Sequence, residues 1–364
     1  MKSYSQWRED RPMNYDRYVR QLSQIGIEGQ SKLNSASVLI VGCGGLGCPV
    51  LLYLAAAGVG SLTVVDNDTV DLSNIHRQIL FNESEVGKPK VEVAKSRINA
   101  LNSEINLQIV NSRFELENAE NIINGCDLVI DCTDNFKTRE LINRICCISE
   151  TPFISSSVLM GSGQVSFFDI KAGCYKCLYP ELPPKYLSPN CVEAGVLGTT
   201  VGVTGTLTAN MAIEVILGNN ERYLNKFFIF NSSSLSVKQL EFEKNHSCPS
   251  CVSKEFDREL EVTPDNEHIP DLEISLDNTQ CLEKYRVIDV RAKWECQIKD
   301  IPNSINIPMK EIMLNPDLVK IDDKPILFVC QSGVRSYETA KKYYNTGVRN
   351  IYSLSGGASE YPRN

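Results

Sequence analysis

The sequence GCGGLG at positions 42–47 fits the pattern G-x-G-x-x-G and follows a short apolar stretch. Glycines at these positions let backbone N–H groups approach a phosphate at the N-terminus of a helix. Asp66 ends the next apolar stretch, where a carboxylate would hold a ribose hydroxyl. The loop and the acid predict a nucleotide site, and by themselves they favour a nicotinamide-dependent oxidoreductase.

The residues that follow favour a nucleoside triphosphate over a dinucleotide. Asn74, Arg77 and Lys90 lie beyond Asp66, and Asp134 follows a later apolar stretch. Arg77 and Lys90 could hold phosphate oxygens, and the Asp134 carboxylate could hold Mg²⁺. Each residue alone would suit a solvated surface, whereas together at strand ends around one glycine loop they predict a nucleoside triphosphate site. No G-x-x-x-x-G-K-[ST] pattern is present, so P-loop hydrolysis is not expected.

Two C-x-x-C pairs, Cys174/Cys177 and Cys248/Cys251, form the third chemical signal. Each pair can place two thiolates on one side of a tight turn, and two pairs can close a tetrahedral zinc site. A single pair could be a redox pair, but two pairs in a reduced compartment favour zinc. With four protein ligands the ion would have no open position, so its predicted role is structural.

A second loop, CQSGVR at 330–335, joins an apolar stretch to a predicted helix. Such a loop turns N–H groups toward one sulfur at a helix N-terminus, which lowers the thiol pKa and stabilises an anion. Four residues separate Cys330 from Arg335, one fewer than in cysteine-dependent phosphatases. The smaller cradle suits a persulfide sulfur better than a phosphate, so Cys330 is predicted to carry –S–SH. An inactive regulatory loop is the alternative, and the presence of both Cys330 and Arg335 speaks against it.

Alternating strands and helices must position these loops, and this alternation predicts βαβ units with a parallel sheet. Predicted strands cover residues 37–41, 61–65, 107–111 and 127–131, and predicted helices cover 14–35, 47–57, 87–102 and 136–150. An acidic segment at 253–273 is interpreted as a linker. Beyond it, strands at 285–291, 303–309 and 324–330, a helix at 335–345 and a last strand near 350 predict a second small α/β unit.

Composition limits the classes of protein. A hydrophobic fraction of 42% with 23% charged residues is typical of folded protein, and the net charge of −8 disfavours direct nucleic-acid binding. The charge-free stretches 38–65 and 194–213 are rich in glycine, so we interpret them as buried α/β segments and expect no membrane partner. Fourteen cysteines without an export signal predict reduced thiols and a cytoplasmic location.

Six segments together resemble the HesA/MoeB/ThiF adenylyltransferase family, the bacterial relatives of ubiquitin-activating enzymes. They are RYVRQ (17–21), VLIVGCGGLG (38–47), VVDNDTVDLSNIHRQ (64–78), VGKPK (86–90), DCTDN (131–135) and CVEAGVLG (191–198). The resemblance covers about the first 250 residues and implies a Rossmann-like domain that adenylates the C-terminal glycine of a small ubiquitin-like sulfur carrier. It also implies a homodimer in which Arg20 reaches the partner's nucleotide site, and a reactive role for Cys191.

The last 90 residues or so resemble a single rhodanese domain. C-x-x-G-x-R at 330–335, VIDVR at 287–291 and NSINIPM at 303–309 carry this match. Lys299-Asp300 departs from it, because the family often has Gly-His there, so the edge of the domain could be abbreviated. The resemblance implies sulfur transfer through a Cys330 persulfide, loaded by an upstream donor such as a cysteine desulfurase.

We therefore expect an α/β protein with an adenylation domain at 1–252, a linker at 253–273 and a rhodanese-like domain at 274–364. The residues assigned to ATP are Gly42, Gly44, Gly45, Gly47, Asp66, Asn74, Arg77, Lys90 and Asp134, and the residues assigned to catalysis are Arg20, Arg77, Asp134, Cys191, Cys330 and Arg335. The expected reaction converts a carrier ending in Gly-Gly into a C-terminal thiocarboxylate. The alternatives are adenylation leading to an amide bond, an NAD-dependent oxidoreductase, and a non-catalytic scaffold.

Overall fold

The computed structural model describes residues 15–181, 195–255, 272–276, 279–359 and 361. The chain divides into two compact units, Met1–Glu261 and Val262–Asn364, and the dividing point lies inside the segment interpreted as a linker. Cys191 and most of the proline-rich segment around it lie outside the described residues.

The described strands of the first unit form one eight-stranded sheet in the order β3-β2-β1-β4-β5-β6-β7-β8. These strands are β1 (Ser37–Val41), β2 (Ser61–Val65), β3 (Asn106–Val110), β4 (Leu128–Asp131), β5 (Phe153–Leu159), β6 (Ser162–Phe168), β7 (Lys226–Asn231) and β8 (Ser236–Glu241). The first five strands are parallel to one another, as the sequence predicts. The strands β6, β7 and β8, for which the sequence analysis made no prediction, each pair antiparallel with the strand before them.

Helices cover both faces of this sheet. They are α1 (Tyr15–Ser35), α2 (Gly47–Ala57), α3 (Lys90–Leu101), α4 (Leu116–Ile123), α5 (Phe136–Ser149), α6 (Tyr175–Leu178) and α7 (Gly198–Leu217). By length and composition α7 could cross a membrane. In the structure it packs against α2, β5 and β6, as the core helix of a folded unit does.

The central strand shows why this sheet forms. Val38, Leu39, Ile40 and Val41 are all buried, because β1 lies between β2 and β4 with helices on both faces. Successive side chains of a strand point to opposite faces. Accordingly Val38 and Ile40 join one hydrophobic cluster while Leu39 and Val41 join the other. A continuous apolar run is typical of a parallel strand covered on both sides.

The second unit is built on a parallel five-stranded sheet in the order β11-β10-β12-β13-β9. Its strands are β9 (Glu273–Ile274), β10 (Arg286–Asp289), β11 (Ser304–Asn306), β12 (Ile326–Val329) and β13 (Ile351–Leu354), and its helices are α8 (Lys293–Ile298), α9 (Met309–Leu314) and α10 (Val334–Asn345). Every β12 side chain is buried, and this strand leads directly into Cys330.

Candidate functional site

The glycine loop connects β1 to α2, and its sharp turn requires residues without a side chain. Gly42 has φ of +99°, a left-handed conformation that favours glycine, and a Cβ there would lie 2.8 Å from the Cys132 carbonyl oxygen. A Cβ on Gly47 would lie 2.1 Å from the Gly42 carbonyl oxygen, and one on Gly45 would lie 2.6 Å from Cγ1 of Val201. The close approach of β1, β4 and α7 therefore depends on this glycine pattern.

Asp66 lies at the end of β2 and ties the glycine loop to that strand. Its Oδ2 accepts the Cys43 N–H at 2.7 Å, and its Oδ1 accepts the Asp68 N–H at 2.8 Å. Each carboxylate oxygen keeps a second lone pair, which a ribose hydroxyl could use. The structure thus gives Asp66 a loop-fixing role besides the ribose contact that the sequence predicts.

The cations predicted to bind phosphate are already engaged within the protein. Lys90 is buried, and its Nζ lies 2.8 Å from Oδ2 of the exposed Asp68. Nη1 of Arg77 donates to the Ser73 carbonyl at 3.0 Å, and the Arg77 stem passes beside Gly45. A bound phosphate would compete with these acceptors for the two cations.

Gln78 is a residue at this site that the sequence analysis did not assign. Its Nε2 donates to Oδ1 of Asn74 at 2.6 Å, which leaves the Asn74 amide nitrogen able to donate toward a ligand. Gln78 is buried beside Gly44, and its Oε1 has no hydrogen-bond partner among the described residues. The signal in the sequence that could have found Gln78 is its position directly after Arg77.

Asp134 lies on the loop between β4 and α5. Its side chain is exposed and makes no hydrogen bond or ion pair with the described residues, so it is available to a cation. Two residues that the sequence analysis missed, Asp131 and Arg139, hold this loop from beneath through a buried ion pair. Arg20 lies exposed on α1, and within the described part of one chain its side chain has no hydrogen-bond partner.

The four paired cysteines come together. Sγ of Cys174 lies 3.9 Å from Sγ of Cys177 and 3.6 Å from Sγ of Cys248, and Sγ of Cys177 lies 3.6 Å from Sγ of Cys251. All four sulfur atoms lie within 4.8 Å of one another. Tetrahedral zinc with Zn–S bonds of about 2.3 Å would hold its sulfur ligands about 3.8 Å apart, so the donor set fits that ion.

The electrostatics of this cluster also fit a metal. The hydrogen bond from Cys174 and burial raise the pKa of Cys177 to about 12, and burial and Cys177 raise the pKa of Cys251 to about 12. The Cys147 thiol contributes most to a raised pKa at Cys174. Without a cation the thiols of Cys174, Cys177 and Cys251 therefore stay protonated, and a divalent ion would supply the charge that thiolate ligands need.

The Cys330 loop wraps its buried sulfur. Sγ of Cys330 accepts the Gly333 N–H at 3.2 Å and the Ser336 hydroxyl at 3.4 Å, so one loop N–H and one side-chain donor face the sulfur. Gly333 has φ of +92° and immediately precedes α10, which places the sulfur at the positive end of that helix. This arrangement can stabilise an anionic sulfur.

Arg335 is held by a partner that the sequence analysis did not identify. Its Nη1 and Nη2 donate to the two carboxylate oxygens of Glu295, each at 2.7 Å. Burial raises the pKa of Glu295, but the hydrogen bonds from Arg335 lower it further, so the pKa of Glu295 is lowered overall. The pair is therefore ionised at neutral pH, and the guanidinium charge is balanced within the protein.

Comparison with known proteins gives a family match for each unit. The ThiF family model matches residues 15–250, and the rhodanese-like domain model matches residues 275–363. The adenylyltransferase and sulfurtransferase MOCS3 of Culex quinquefasciatus is 35% identical over 381 residues, covering 96% of this chain and 87% of that protein. The sulfur carrier protein adenylyltransferase of Thermus thermophilus is 41% identical over 253 residues, covering 67% of this chain and 93% of that protein.

Solved structures support the fold of the first unit. The crystal structure of E. coli MccB with ATP has a TM-score of 0.57 and 25% identity, covering 65% of this chain and 75% of that chain. The predicted fold class is thus confirmed: a Rossmann-like α/β unit is followed by a rhodanese-like unit. The chain belongs to the ThiF family, as the resemblance in its sequence implied.

Proposed function

We propose that this chain adenylates the C-terminus of a small sulfur-carrier protein and then transfers sulfur to it. The observation that carries this proposal is the union in one chain of a ThiF-type nucleotide loop and a rhodanese-type cysteine loop. The same union occurs in relatives named adenylyltransferase and sulfurtransferase. Use of ATP follows from membership of this adenylating family.

The first step needs positioning and charge balance. A peptide C-terminal carboxylate has a pKa of about 3.5, so it is ionised at neutral pH and attacks the α-phosphorus without a general base. The O–P bond forms as the bond to pyrophosphate breaks, giving a carrier acyl adenylate. Arg77 and Lys90 neutralise the phosphates, and Asn74 and Asp66 orient the nucleotide. Asp134 would hold Mg²⁺, which would supply further positive charge at the phosphates.

The second step uses sulfur carried by Cys330. The terminal sulfur of the Cys330 persulfide attacks the acyl carbon, and AMP leaves with the electron pair of the C–O bond. A thiolate then attacks Sγ of Cys330, and the carrier thiocarboxylate leaves with the electron pair of the S–S bond. The disulfide left between that thiol and Cys330 is reduced by an external thiol. We assign that thiol to Cys191 and assign loading of Cys330 to a cysteine desulfurase-type donor.

The four-cysteine cluster of Cys174, Cys177, Cys248 and Cys251 binds zinc in this proposal, and the ion has a structural role. Support comes from the donor set and spacing of the sulfurs. We also propose a homodimer in which Arg20 of each chain serves the other chain's nucleotide site, consistent with its exposed position. We also propose a cytoplasmic location, since no disulfide joins the described cysteines and unpaired cysteines suit a reducing compartment.

The decisive test asks whether the first unit carries out adenylation and the second unit carries out sulfur transfer. Arg77→Ala and Asp134→Ala should abolish carrier-dependent ATP–pyrophosphate exchange, whereas Cys330→Ala should retain exchange and lose thiocarboxylate formation. Loss of exchange in Cys330→Ala would refute this assignment. Mass analysis of the carrier after incubation with ATP and a sulfur donor separates the chemistry: a thiocarboxylate gains the mass difference between sulfur and oxygen, while an amide product does not.

A further inference from the structure

The loop from Cys330 to Arg335 is held at three points. Beneath it, the Ala358 N–H donates to the Cys330 carbonyl at 2.7 Å. On the sulfur side, the Ser353 hydroxyl donates to the Ser336 hydroxyl at 2.9 Å, and Ser336 donates to the Cys330 sulfur. The third point is the outer rim, where Arg335 meets Glu295 of α8.

Both oxygens of the Glu295 carboxylate accept hydrogen bonds at this rim. Oε2 accepts both Arg335 Nη1 at 2.7 Å and the Ala292 N–H at 2.8 Å, and Oε1 accepts Arg335 Nη2 at 2.7 Å. The Arg335 and Glu295 side chains are only 14% and 13% exposed. A bidentate pair of this kind fixes orientation as well as distance, because two parallel N–H···O bonds lock the planes of both groups.

We propose that Glu295 is a positioning residue for sulfur transfer, acting on the Cys330 loop through Arg335. The proposal rests on the sulfurtransferase function proposed for the second unit. In this arrangement the sulfur receives its hydrogen bonds from Gly333 and Ser336, while the Arg335 guanidinium holds the rim and has its charge balanced by Glu295.

Loss of the Glu295 charge should change kcat and KM in different ways, which a simple loss of structure would not do. Glu295→Gln removes the charge that balances Arg335, so the rim loosens and the turnover number falls. The same change removes one negative charge beside the Arg335 guanidinium, so an anionic sulfur donor binds more tightly and its KM falls. Arg335→Gln loosens the rim and removes the positive charge as well, so kcat falls and KM does not.

The experiment uses the full chain with thiosulfate as donor and cyanide as acceptor. The Cys330 thiolate attacks the sulfane sulfur and sulfite leaves with the S–S electron pair; cyanide then takes the sulfane sulfur as thiocyanate and regenerates the thiolate. We expect Glu295→Gln to lower kcat by roughly 10- to 100-fold, the scale of a misplaced reacting group, and to lower the KM for thiosulfate. The double variant Glu295→Gln/Arg335→Gln should match Arg335→Gln alone.

Glu295→Asp tests the same point if the glutamine variant folds poorly. It keeps the negative charge but is one methylene too short for both bonds, so kcat should fall part of the way with KM unchanged. Glu311→Gln is the matched control, since Glu311 of α9 makes an exposed ion pair with Lys293 of α8 at 3.1 Å. That control should keep wild-type kinetics.

The outcomes are distinct. An unchanged kcat in Glu295→Gln, or a kcat loss with no fall in KM and additive losses in the double variant, would overturn the positioning role. Absence of thiocyanate formation by the wild-type chain would overturn the proposed sulfurtransferase function together with it. Wild-type activity with unaffected Glu295 variants would overturn the positioning role alone.

Discussion

Nε of Arg139 lies 2.7 Å from Oδ2 of Asp131, and both side chains are buried. Asp131 ends β4 and Arg139 lies in α5, so the pair closes the loop that carries Asp134. The Ser155 hydroxyl donates to the same Asp131 oxygen at 2.7 Å. Burial lowers the pKa of Arg139 and Asp131 raises it, with a net rise, so the guanidinium is charged. The loop that carries Asp134 therefore rests on a buried, charged arginine that is hydrogen-bonded to Asp131.

Breaking this pair should be costly. Asp131→Asn leaves a buried guanidinium without its counter-charge, so we expect the free energy of unfolding to fall by about 3–5 kcal/mol and pyrophosphate exchange to fall with it. Urea unfolding of the full chain measures the first effect. Glu28→Gln, at an exposed pair 3.7 Å from Lys32, should cost no more than about 1 kcal/mol. Equal losses in the two variants would contradict the structural role of the buried pair.

Gly47 offers a steric test of the nucleotide loop. A Cβ at this position would overlap the Gly42 carbonyl, so Gly47→Ala should distort the loop and cost roughly 1–3 kcal/mol, with loss of ATP-dependent exchange. Gly202→Ala is the matched control on α7, because a Cβ there meets no atom within 4 Å. Helix propensity predicts that this control stabilises the chain by about 0.5–1 kcal/mol. Exchange at the wild-type rate in Gly47→Ala would show that the loop tolerates a side chain.

Gln78 tests how Asn74 is oriented. Gln78→Leu keeps a similar volume but removes the hydrogen bond to Asn74 Oδ1, so the Asn74 amide can turn. We expect the KM for ATP in pyrophosphate exchange to rise about tenfold, which corresponds to about 1.4 kcal/mol. Thermal melting of the apo chain should change little, because the variant also removes the unpaired buried Oε1. An unchanged KM would mean that Asn74 needs no such support.

Metal analysis tests the cysteine cluster. The purified chain should hold about one zinc ion per protomer, and Cys251→Ser or prolonged treatment with a strong chelator should remove it and lower the melting temperature. Cys126→Ala is the control, because Cys126 lies outside the cluster and is only partly buried. Wild-type chain without zinc, or zinc retained at full occupancy by Cys251→Ser, would contradict the assignment.

The sequence predicted those helices and strands that neighbouring residues in the chain specify. Residues 37–41 and 61–65 are strands as predicted, because apolar runs ending in glycine or aspartate mark buried parallel strands. The helix predicted from residue 87 begins instead at Lys90, since Gly87 has φ of +87° and Pro89 is not helical. The two CxxC pairs lie together as predicted, because two pairs of thiols suit the four positions around one tetrahedral ion.

The remaining parts depend on contacts between distant residues. β5 contains three serines and gave no strand signal, yet Ser155 and Ser156 are buried because they hydrogen-bond to Asp131. Glu295 meets Arg335 across 40 positions in sequence, and no local pattern specifies that pairing. In both cases a polar side chain is buried because it bonds to a residue far away in the sequence. The spacing of apolar residues along the chain does not indicate such a partner.

The cysteine cluster joins Cys174 to Cys248 across 74 positions in sequence. During synthesis the first pair emerges from the ribosome while the second is still unmade, so the cluster cannot close until residue 251 has left the exit tunnel. Closure therefore comes after every described strand of the first sheet has been translated. Uptake of the ion would mark completion of the adenylating unit, just before the rhodanese-like unit begins to appear.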